Sequence, residues 1–259
     1  GEKPLYYGWV NDQFVFASEL KSIKKFPEFK NLIDRNSLAL FLRFNSIPAP
    51  HSIYQDIYKL EPGQIIQLHS ESKKVKKFNF WSTEEVYNKG NLSQVSGTPK
   101  EIVDQLEVVL SKAVSSQMQS DVPLGAFLSG GIDSSLIVSL MSNHTTEAKT
   151  YTVGFDFLDY DESVYAEKIA NHLGTKHTTY LCNKKDVLDI IPNLPKAFSE
   201  PFADSSQIPT MLVSRLARQD VKVALSGDAG DEIFGGYNRY LLANKYWKYI
   251  SRLPISLKK

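Results

Sequence analysis

Beyond position 100 the chain alternates between short apolar runs and longer stretches whose apolar residues recur every three or four positions. The runs 124–128, 151–155, 177–181 and 221–225 have strand length, while a stretch beginning at Asp133 and the stretches 162–173, 185–191 and 207–218 have helical spacing. Apolar strands joined by amphipathic helices predict an α/β fold, a doubly wound parallel sheet covered on both faces. Just upstream, Thr98-Pro99-Lys100-Glu101 predicts a helix start, with Thr98 as N-cap, Pro99 at the first helical position and Glu101 three after the cap. Ile102, Leu106, Val109, Leu110, Ala113 and Val114 predict the buried face of that helix.

The first 80 residues follow another pattern. Runs 5–10 and 14–17 around Asn11-Asp12 predict one hairpin, and runs 63–68 and 75–80 around His69-Ser70-Glu71-Ser72 predict a second. Ser18-Glu19 predicts the cap of a short helix reaching Phe26, and Asn36-Ser37 precede a helix at 38–44. Pro48, Pro50 and Pro62 make 47–62 mostly irregular. Between 82 and 100 the chain turns to Asn, Gly, Ser, Thr and Pro, the composition of a linker. The expected organisation is therefore an antiparallel α+β portion at 1–82, a linker at 83–98 and the parallel-sheet domain at 99–259.

Composition narrows the classes. Lys+Arg 30 against Asp+Glu 29 gives no reason to propose nucleic acid or an anionic membrane as partner. The block Lys73-Lys74-Val75-Lys76-Lys77 is short and sits beside a predicted hairpin, so it reads as a solvated strand edge. A single cysteine, Cys182, excludes an internal disulfide framework and fits a reducing, cytoplasmic setting. No apolar run reaches membrane-spanning length. The chain begins Gly1-Glu2-Lys3-Pro4 without an initiator methionine, which reads as a fragment of something longer.

In a doubly wound sheet, ligands bind beyond the carboxyl ends of the strands. There the first predicted strand breaks into Ser129-Gly130-Gly131-Ile132-Asp133-Ser134-Ser135. Glycines allow a sharp turn and close backbone approach, and the first N–H groups of the following helix lack internal partners, so the loop reads as an anion site. Ser129, Ser134 and Ser135 add hydroxyl donors. The last predicted strand ends in a second small, acidic loop, Ser226-Gly227-Asp228-Ala229-Gly230-Asp231-Glu232. Carboxylates beside phosphate oxygens make a hard environment that suits Mg²⁺, and Asp133 with Asp231 is the expected pair. A plain turn followed by acids at a helix start is the alternative for the second loop.

These two loops carry a resemblance. Ser129 to Ser135 resembles the pyrophosphate loop of the ATP-pyrophosphatase group, and Ser226 to Glu232, continuing through Ile233-Phe234-Gly235-Gly236-Tyr237, resembles the companion loop of glutamine-dependent asparagine synthetases. Tyr151-Thr152-Val153-Gly154-Phe155 and Glu200-Pro201-Phe202-Ala203-Asp204 match that family in order and spacing. Gly1-Glu2-Lys3-Pro4-Leu5-Tyr6-Tyr7, Ala17-Ser18-Glu19-Leu20-Lys21 and Ile57-Tyr58-Lys59-Leu60-Glu61-Pro62-Gly63 resemble the last portion of its glutaminase domain. The resemblance implies an adenine-nucleotide-hydrolase-like sheet preceded by a truncated glutaminase domain. It also implies a reaction: ATP adenylates a carboxylate, most simply that of aspartate, pyrophosphate leaves, and ammonia derived from glutamine attacks the acyl-adenylate. By that resemblance Leu128 and Val153, with Gly154, line the nucleotide pocket. Ser129, Gly130, Gly131, Ser134 and Ser135 hold pyrophosphate with Asp133, Gly227 and Asp228 stand at the reacting carboxylate, and Asp133 and Asp231 carry Mg²⁺. ATP and Mg²⁺ are the expected cofactors, and the expected partners are small molecules.

Departures from the pattern matter too. The family's glutaminase nucleophile is an N-terminal cysteine, which lies before the part resembled here, so the expectation is that this chain alone does not hydrolyse glutamine. Cys182, at a predicted strand end, reads as a small buried filler. Asp228 stands where strict asparagine synthetases tend to have Glu, and Asp204-Ser205-Ser206-Gln207-Ile208-Pro209 lacks the arginine that would pair with an α-carboxylate. Amidation of a sugar acid or a peptide carboxylate is the alternative acceptor chemistry, and a nucleotide-binding module without turnover the alternative class. Phe127 occupies the place a nucleophile elbow gives to glycine, and no lysine follows Gly131 as a Walker loop would need. Asp156, Asp159 and Asp161 do not fit an EF-hand, and the five histidines show no metal spacing.

Overall fold

The computed structural model describes residues 3–69, 71–156, 161–252 and 254. By contact density the chain divides into two units, one of residues 1–98 and 188–208 and one of residues 99–187 and 209–259.

In the first unit, strands β1 (Tyr6–Val10) and β2 (Gln13–Ala17) form the expected hairpin, with Asn11 in the left-handed region at the turn (φ 52°). The segment expected to be irregular contributes a third strand, β3 (Ile57–Lys59), antiparallel to β1 with Tyr7 opposite Tyr58. Three residues are too few for an alternating pattern to show, and their pairing partner lies fifty positions upstream. Tyr6, Leu20, Ile23, Ile47, Ile53 and Ile57 make the core on one face of this sheet. Each such side chain contributes about 1.5–3 kcal/mol when fully buried. Strands β4 (Gln64–Leu68) and β5 (Val75–Asn79) form the second hairpin, with Lys73, Lys74, Lys76 and Lys77 exposed; Ser70 of its turn lies outside the described residues.

Three local expectations in this half are corrected. The helix after β2 covers only Leu20–Ile23, and no side chain caps it. The next helix begins at Arg35, because Asp34 is the cap: its carboxylate accepts from the Asn36 N–H at 2.9 Å and from the Ser37 hydroxyl at 3.0 Å. The segment read as linker carries a helix, Thr83–Leu92, whose cap Ser82 accepts from the Glu85 N–H. None of its residues is buried, so it has no apolar face from which it could have been predicted.

In the second unit, strands β6 (Leu124–Phe127), β7 (Lys149–Phe155), β8 (Lys176–Cys182) and β9 (Val223–Leu225) form one parallel sheet in the order β8-β7-β6-β9. Side chains alternate across it. Ala126 and Leu128 pack with Val138 and Met141 of helix Ile132–Ser142 and with Ala166 and Ala170 of helix Ser163–Leu173. Phe127 and Tyr151 face the other way, onto Val213, Leu216 and Ala217 of helix Gln207–Ala217. The sheet is therefore covered on both faces, as the apolar alternation requires.

Helix Pro99–Gln117 begins where Thr98-Pro99 predicts, but its buried face is shorter than expected. Val114 is buried and Leu110 packs on the core, whereas Ile102, Leu106 and Val109 are exposed. Periodicity gives the stripe, but only the last turns have a neighbour to bury it. Among the described residues no helix is long and apolar enough to cross a membrane.

The edge strand β8 carries a titratable group in a partly buried position. His177 Nδ1 lies 2.8 Å from the hydroxyl of the fully buried Thr150, which in turn lies 2.9 Å from the Thr175 hydroxyl. Its Nε2 is buried without a partner among the described residues. Burial pushes the imidazole below its ordinary value of 6.5, against an upward pull from Glu167. The unfolded chain therefore takes up this proton first as pH falls, so stability is full above about pH 6.5 and declines as pH drops through the native value. His177→Gln should flatten that part of the profile. Urea midpoints of both proteins from pH 7.5 to pH 5 provide the check, and equal slopes would sink the assignment.

Candidate functional site

Chain order and sheet order together fix where a ligand can sit. From β6 the chain moves outward through β7 to β8, then returns to place β9 on the other side of β6. The order reverses between β6 and β9, which is where doubly wound sheets open a crevice at their carboxyl ends. Ala126 is registered with Leu225, so the loops that follow both strands leave the sheet side by side.

The first loop, Ser129 to Gly131, is shaped by its own polar groups. The Ser129 N–H donates to the Ser134 hydroxyl at 3.2 Å, the two hydroxyls lie 2.9 Å apart, and the Gly131 N–H donates to the Ser129 hydroxyl at 3.3 Å. The Ser134 and Ser135 hydroxyls donate to the Gly131 carbonyl at 3.3 and 2.6 Å. Ser134 is buried, so this hydroxyl holds the loop's shape as well as being a potential ligand donor. Gly130 sits at φ +82°, and a Cβ there would come within 2.8 Å of the Tyr165 Cβ and 2.9 Å of the Ala166 nitrogen. Only glycine lets the loop lie this close to helix Ser163–Leu173. At Gly131, which precedes helix Ile132–Ser142, no side chain caps the helix. Its first N–H groups therefore remain donors for an anion.

The second loop leans on that helix. A Cβ at Gly227 would meet the Ser134 nitrogen at 2.6 Å, and one at Gly230 would meet the Asp133 carboxyl at 2.4 Å. The two Ser-Gly loops thus touch through positions where only hydrogen fits, and the Asp133 carboxylate rests beside the residue preceding Asp231. The Asp231 backbone carbonyl accepts from the Gly236 N–H at 3.0 Å, and its carboxylate lies against Gly236. Asp228 is exposed and accepts from the Ser226 hydroxyl at 2.9 Å. Ala229 is held at φ 72°, a conformation costing a non-glycine residue roughly 1–3 kcal/mol. The following short helix, Gly230–Phe234, ends at Gly235, again left-handed. The Tyr237 hydroxyl closes the loop by donating to Glu232 at 2.6 Å, which lowers the carboxyl pKa and pushes the phenol up to about 12.

Beside Leu128 and Ser129 lies a cavity of about 430 Å³. Leu128 and Val153 both line it. Gly154 is buried at the strand end, where a Cβ would meet the Ser163 hydroxyl at 2.7 Å and the Asp161 carboxylate at 2.8 Å. Tyr151, Asp161, Pro209, Thr210 and Val213 also line the cavity, and the sequence reading named none of them as site residues. Asp161 belongs to the acidic trio that does not fit an EF-hand. Its carboxylate instead accepts from the Ser163 N–H at 3.0 Å and hydroxyl at 2.7 Å; Asp159 lies outside the described residues. The available signal was its position two residues before a helix that follows a strand end. Tyr151 donates to Asp220 at 3.4 Å, and burial with that carboxylate pushes its phenol up to about 12. Cys182 is fully buried at the end of β8, its thiol pushed up to about 11 by burial and two aspartates, and so is no nucleophile at neutral pH.

Asp133 and Asp231 offer oxygen donors of the kind a hard cation takes, the Asp133 carboxylate lying against Gly230 and that of Asp231 against Gly236. Among the described residues no group of three or more His, Cys, Asp or Glu side chains could hold a metal by itself. Ligands from a phosphate-bearing substrate would therefore complete the sphere, the usual arrangement for Mg²⁺.

Fold and loops together define a doubly wound α/β domain whose two glycine-rich loops meet at the sheet's reversal point. The sequence profile of the asparagine synthase family matches residues 105–259, and that of a glutamine amidotransferase domain matches residues 1–81. The chain belongs to the asparagine synthase family. A Methanocaldococcus jannaschii protein named "Putative asparagine synthetase (glutamine-hydrolyzing) 2" is 37% identical over 262 aligned residues, which take in 98% of this chain and 48% of that protein. Asparagine synthetase (glutamine-hydrolyzing) 1 of Bacillus subtilis is 34% identical over 259 residues, 100% of this chain and 39% of that protein. The chain thus spans less than half the length of these relatives.

Gly227→Ala tests the loop contact. The added methyl has backbone on its far side and cannot be accommodated by a rotamer change, so the variant should lose about 1–3 kcal/mol of stability. Chemical denaturation measures it; a variant as stable as the parent would mean that the loops do not touch as described.

Proposed function

We propose that this chain is part of a glutamine-dependent asparagine synthetase that uses ATP to amidate the side-chain carboxylate of aspartate. The observation that carries the reading is the contact of Gly227 and Gly230 with the first turn of helix Ile132–Ser142, which gathers N–H donors and carboxylates in one crevice. The family membership and the names of the relatives support aspartate over a sugar acid or peptide carboxylate. In this reading the second unit is an adenine-nucleotide-hydrolase-like domain and residues 1–82 are the later portion of a glutaminase domain. The linker of residues 83–98 is helical in part, and the setting is cytoplasmic.

Adenine sits in the cavity against Leu128 and Val153, with backbone groups of Val153 and Gly154 at its edge. The triphosphate runs along Ser129, Gly130 and Gly131 to the start of the helix. One oxygen of the acceptor carboxylate attacks the α-phosphorus as the bond to the bridging α–β oxygen breaks, and the electron pair leaves on pyrophosphate. Charge grows on the leaving group, and the loop N–H groups with the hydroxyls of Ser129, Ser134 and Ser135 are already oriented to meet it. Mg²⁺ at Asp133 and Asp231 would supply neutralising charge there. Gly227 and Asp228 stand at the acyl-adenylate, where Asp228 takes a proton from the attacking ammonia. Ammonia adds to the acyl carbon, AMP leaves, and the amide remains. Adenylation makes that carbon electrophilic, so no protein nucleophile is needed.

Pyrophosphate release by the full-length protein, measured with aspartate, a sugar acid and a peptide carboxylate in turn, tests the reaction and its acceptor. Release that depends on aspartate is expected, and Asp231→Ala should lower it about a hundredfold or more. No release with any acceptor would leave a binding module, and an unchanged Asp231→Ala would remove the metal assignment.

A further inference from the structure

The cavity beside Leu128 differs chemically from the glycine loop it adjoins. Every residue lining it belongs to the unit of residues 99–187 and 209–259. Its charged lining residues are Asp161 and Glu162, and neither lysine nor arginine is among the residues that line it. Three of its hydroxyls are already committed: Ser129 to the Ser134 hydroxyl, Thr152 to the Leu128 carbonyl and Tyr151 to Asp220. The walls therefore offer apolar surface and acceptors. A phosphate would meet two carboxylates there, whereas a flat group that brings its own N–H donors would be matched.

Asp161 is the acceptor that the fold holds still. Its Oδ1 accepts from the Ser163 N–H at 3.0 Å and its Oδ2 from the Ser163 hydroxyl at 2.7 Å. The side chain is half-buried, while Glu162 is exposed. An ionised carboxylate has about four lone-pair positions, so these two bonds leave each oxygen able to accept again. A Cβ on Gly154 would come within 2.8 Å of Oδ1 and 2.7 Å of the Ser163 hydroxyl. Glycine at 154 is thus what lets the Asp161–Ser163 pair lie against the carboxyl end of β7, next to Val153 of the cavity wall.

We propose that Asp161 accepts a hydrogen bond from the exocyclic amine of adenine and so selects ATP over nucleotides that carry oxygen or hydrogen in its place. The proposal deepens the nucleotide reading above and rests on it, since that reading lays the base edge along Val153 and Gly154. An amine at that edge meets a fixed acceptor. A carbonyl oxygen there would set lone pairs against a carboxylate, and a bare hydrogen would leave the carboxylate covered by the base without a partner. Ribose hydroxyls are the competing donors, but ribose lies between base and phosphates, towards Ser129.

Equilibrium binding of Mg·ATP, Mg·inosine triphosphate and Mg·purine riboside triphosphate to the full-length protein tests this. The parent should bind ATP about tenfold or more tighter than either analogue. In Asp161→Asn the amide oxygen keeps a bond to Ser163 and the NH₂ group faces the base. ATP should weaken about tenfold while inosine triphosphate binds as in the parent or better, which brings the two close to parity. Asp161→Ser retains an oxygen suited to a helix start but is too short to reach the base. It should bring ATP down to the affinity of purine riboside triphosphate, which itself is unchanged, and it gives a second reading if Asp161→Asn does not fold. Equal weakening of all three nucleotides in both variants would mean a ribose contact or a purely structural carboxylate and would overturn the proposal. A parent that binds ATP and purine riboside triphosphate alike would also overturn it, with the nucleotide reading left standing. A parent that binds none of the three removes the nucleotide reading, and the role of Asp161 with it.

Discussion

Everything at the crevice depends on one parallel pairing, β6 with β9. Only three registered residue pairs make it, yet it sets the two Ser-Gly loops beside each other and makes glycine obligatory at positions 227 and 230. The chain travels nearly a hundred residues between these strands, so the pairing has a high loop-closure cost and little local help. What stabilises it is burial on both faces. Ala126, Leu128 and Leu225 pack in one cluster, while Phe127 packs in the other with Tyr151 and Val221. The crevice is thus held by the core beneath it.

That division explains what the sequence could and could not disclose. The apolar alternation from β6 to β9 and the loops at the strand ends were legible because both are local: a period of two or 3.6, and clusters of glycine with hydroxyl and carboxyl side chains. β3 was not, because three residues carry no period and its partner β1 is distant. Helix Thr83–Leu92 was not, because it buries nothing. Glu19 is the N-cap position as expected, but the cap at Asp34 was expected two or three residues later, at Asn36-Ser37, where several Ser, Asn and Asp side chains compete for the same N–H groups. Within the site, the loop residues were found from the motif. The walls of the cavity, Tyr151 and the helix residues Thr210 and Val213, were not, since they stand in no local motif until the fold brings them together.

Two sorts of polar residue meet at the strand ends. Thr150, Thr152 and Ser134 are buried and bonded: Thr152 donates to the Leu128 carbonyl, and Ser134 to the Gly131 carbonyl. They give the loop a fixed shape at little net energetic gain, since a buried hydroxyl mainly avoids the cost of being unpaired. Asp228 and Glu232 are exposed, and their partners are a hydroxyl and a phenol rather than cations. The carboxylates at the mouth are therefore available for exchange with solvent, a metal or a proton.

The absence of a lysine from the Ser129 to Ser135 loop has a consequence for the proposed reaction. A fixed ammonium would bind the triphosphate and the departing pyrophosphate alike, and uniform binding of that kind lowers the ground state with the transition state. N–H dipoles at a helix start contribute about half a charge and are already oriented, so they respond to charge that grows on the leaving oxygen without holding the product as tightly. In the proposed reaction the charge that grows on the leaving oxygen meets donors already in place, which gives the glycine-rich loop a chemical reason.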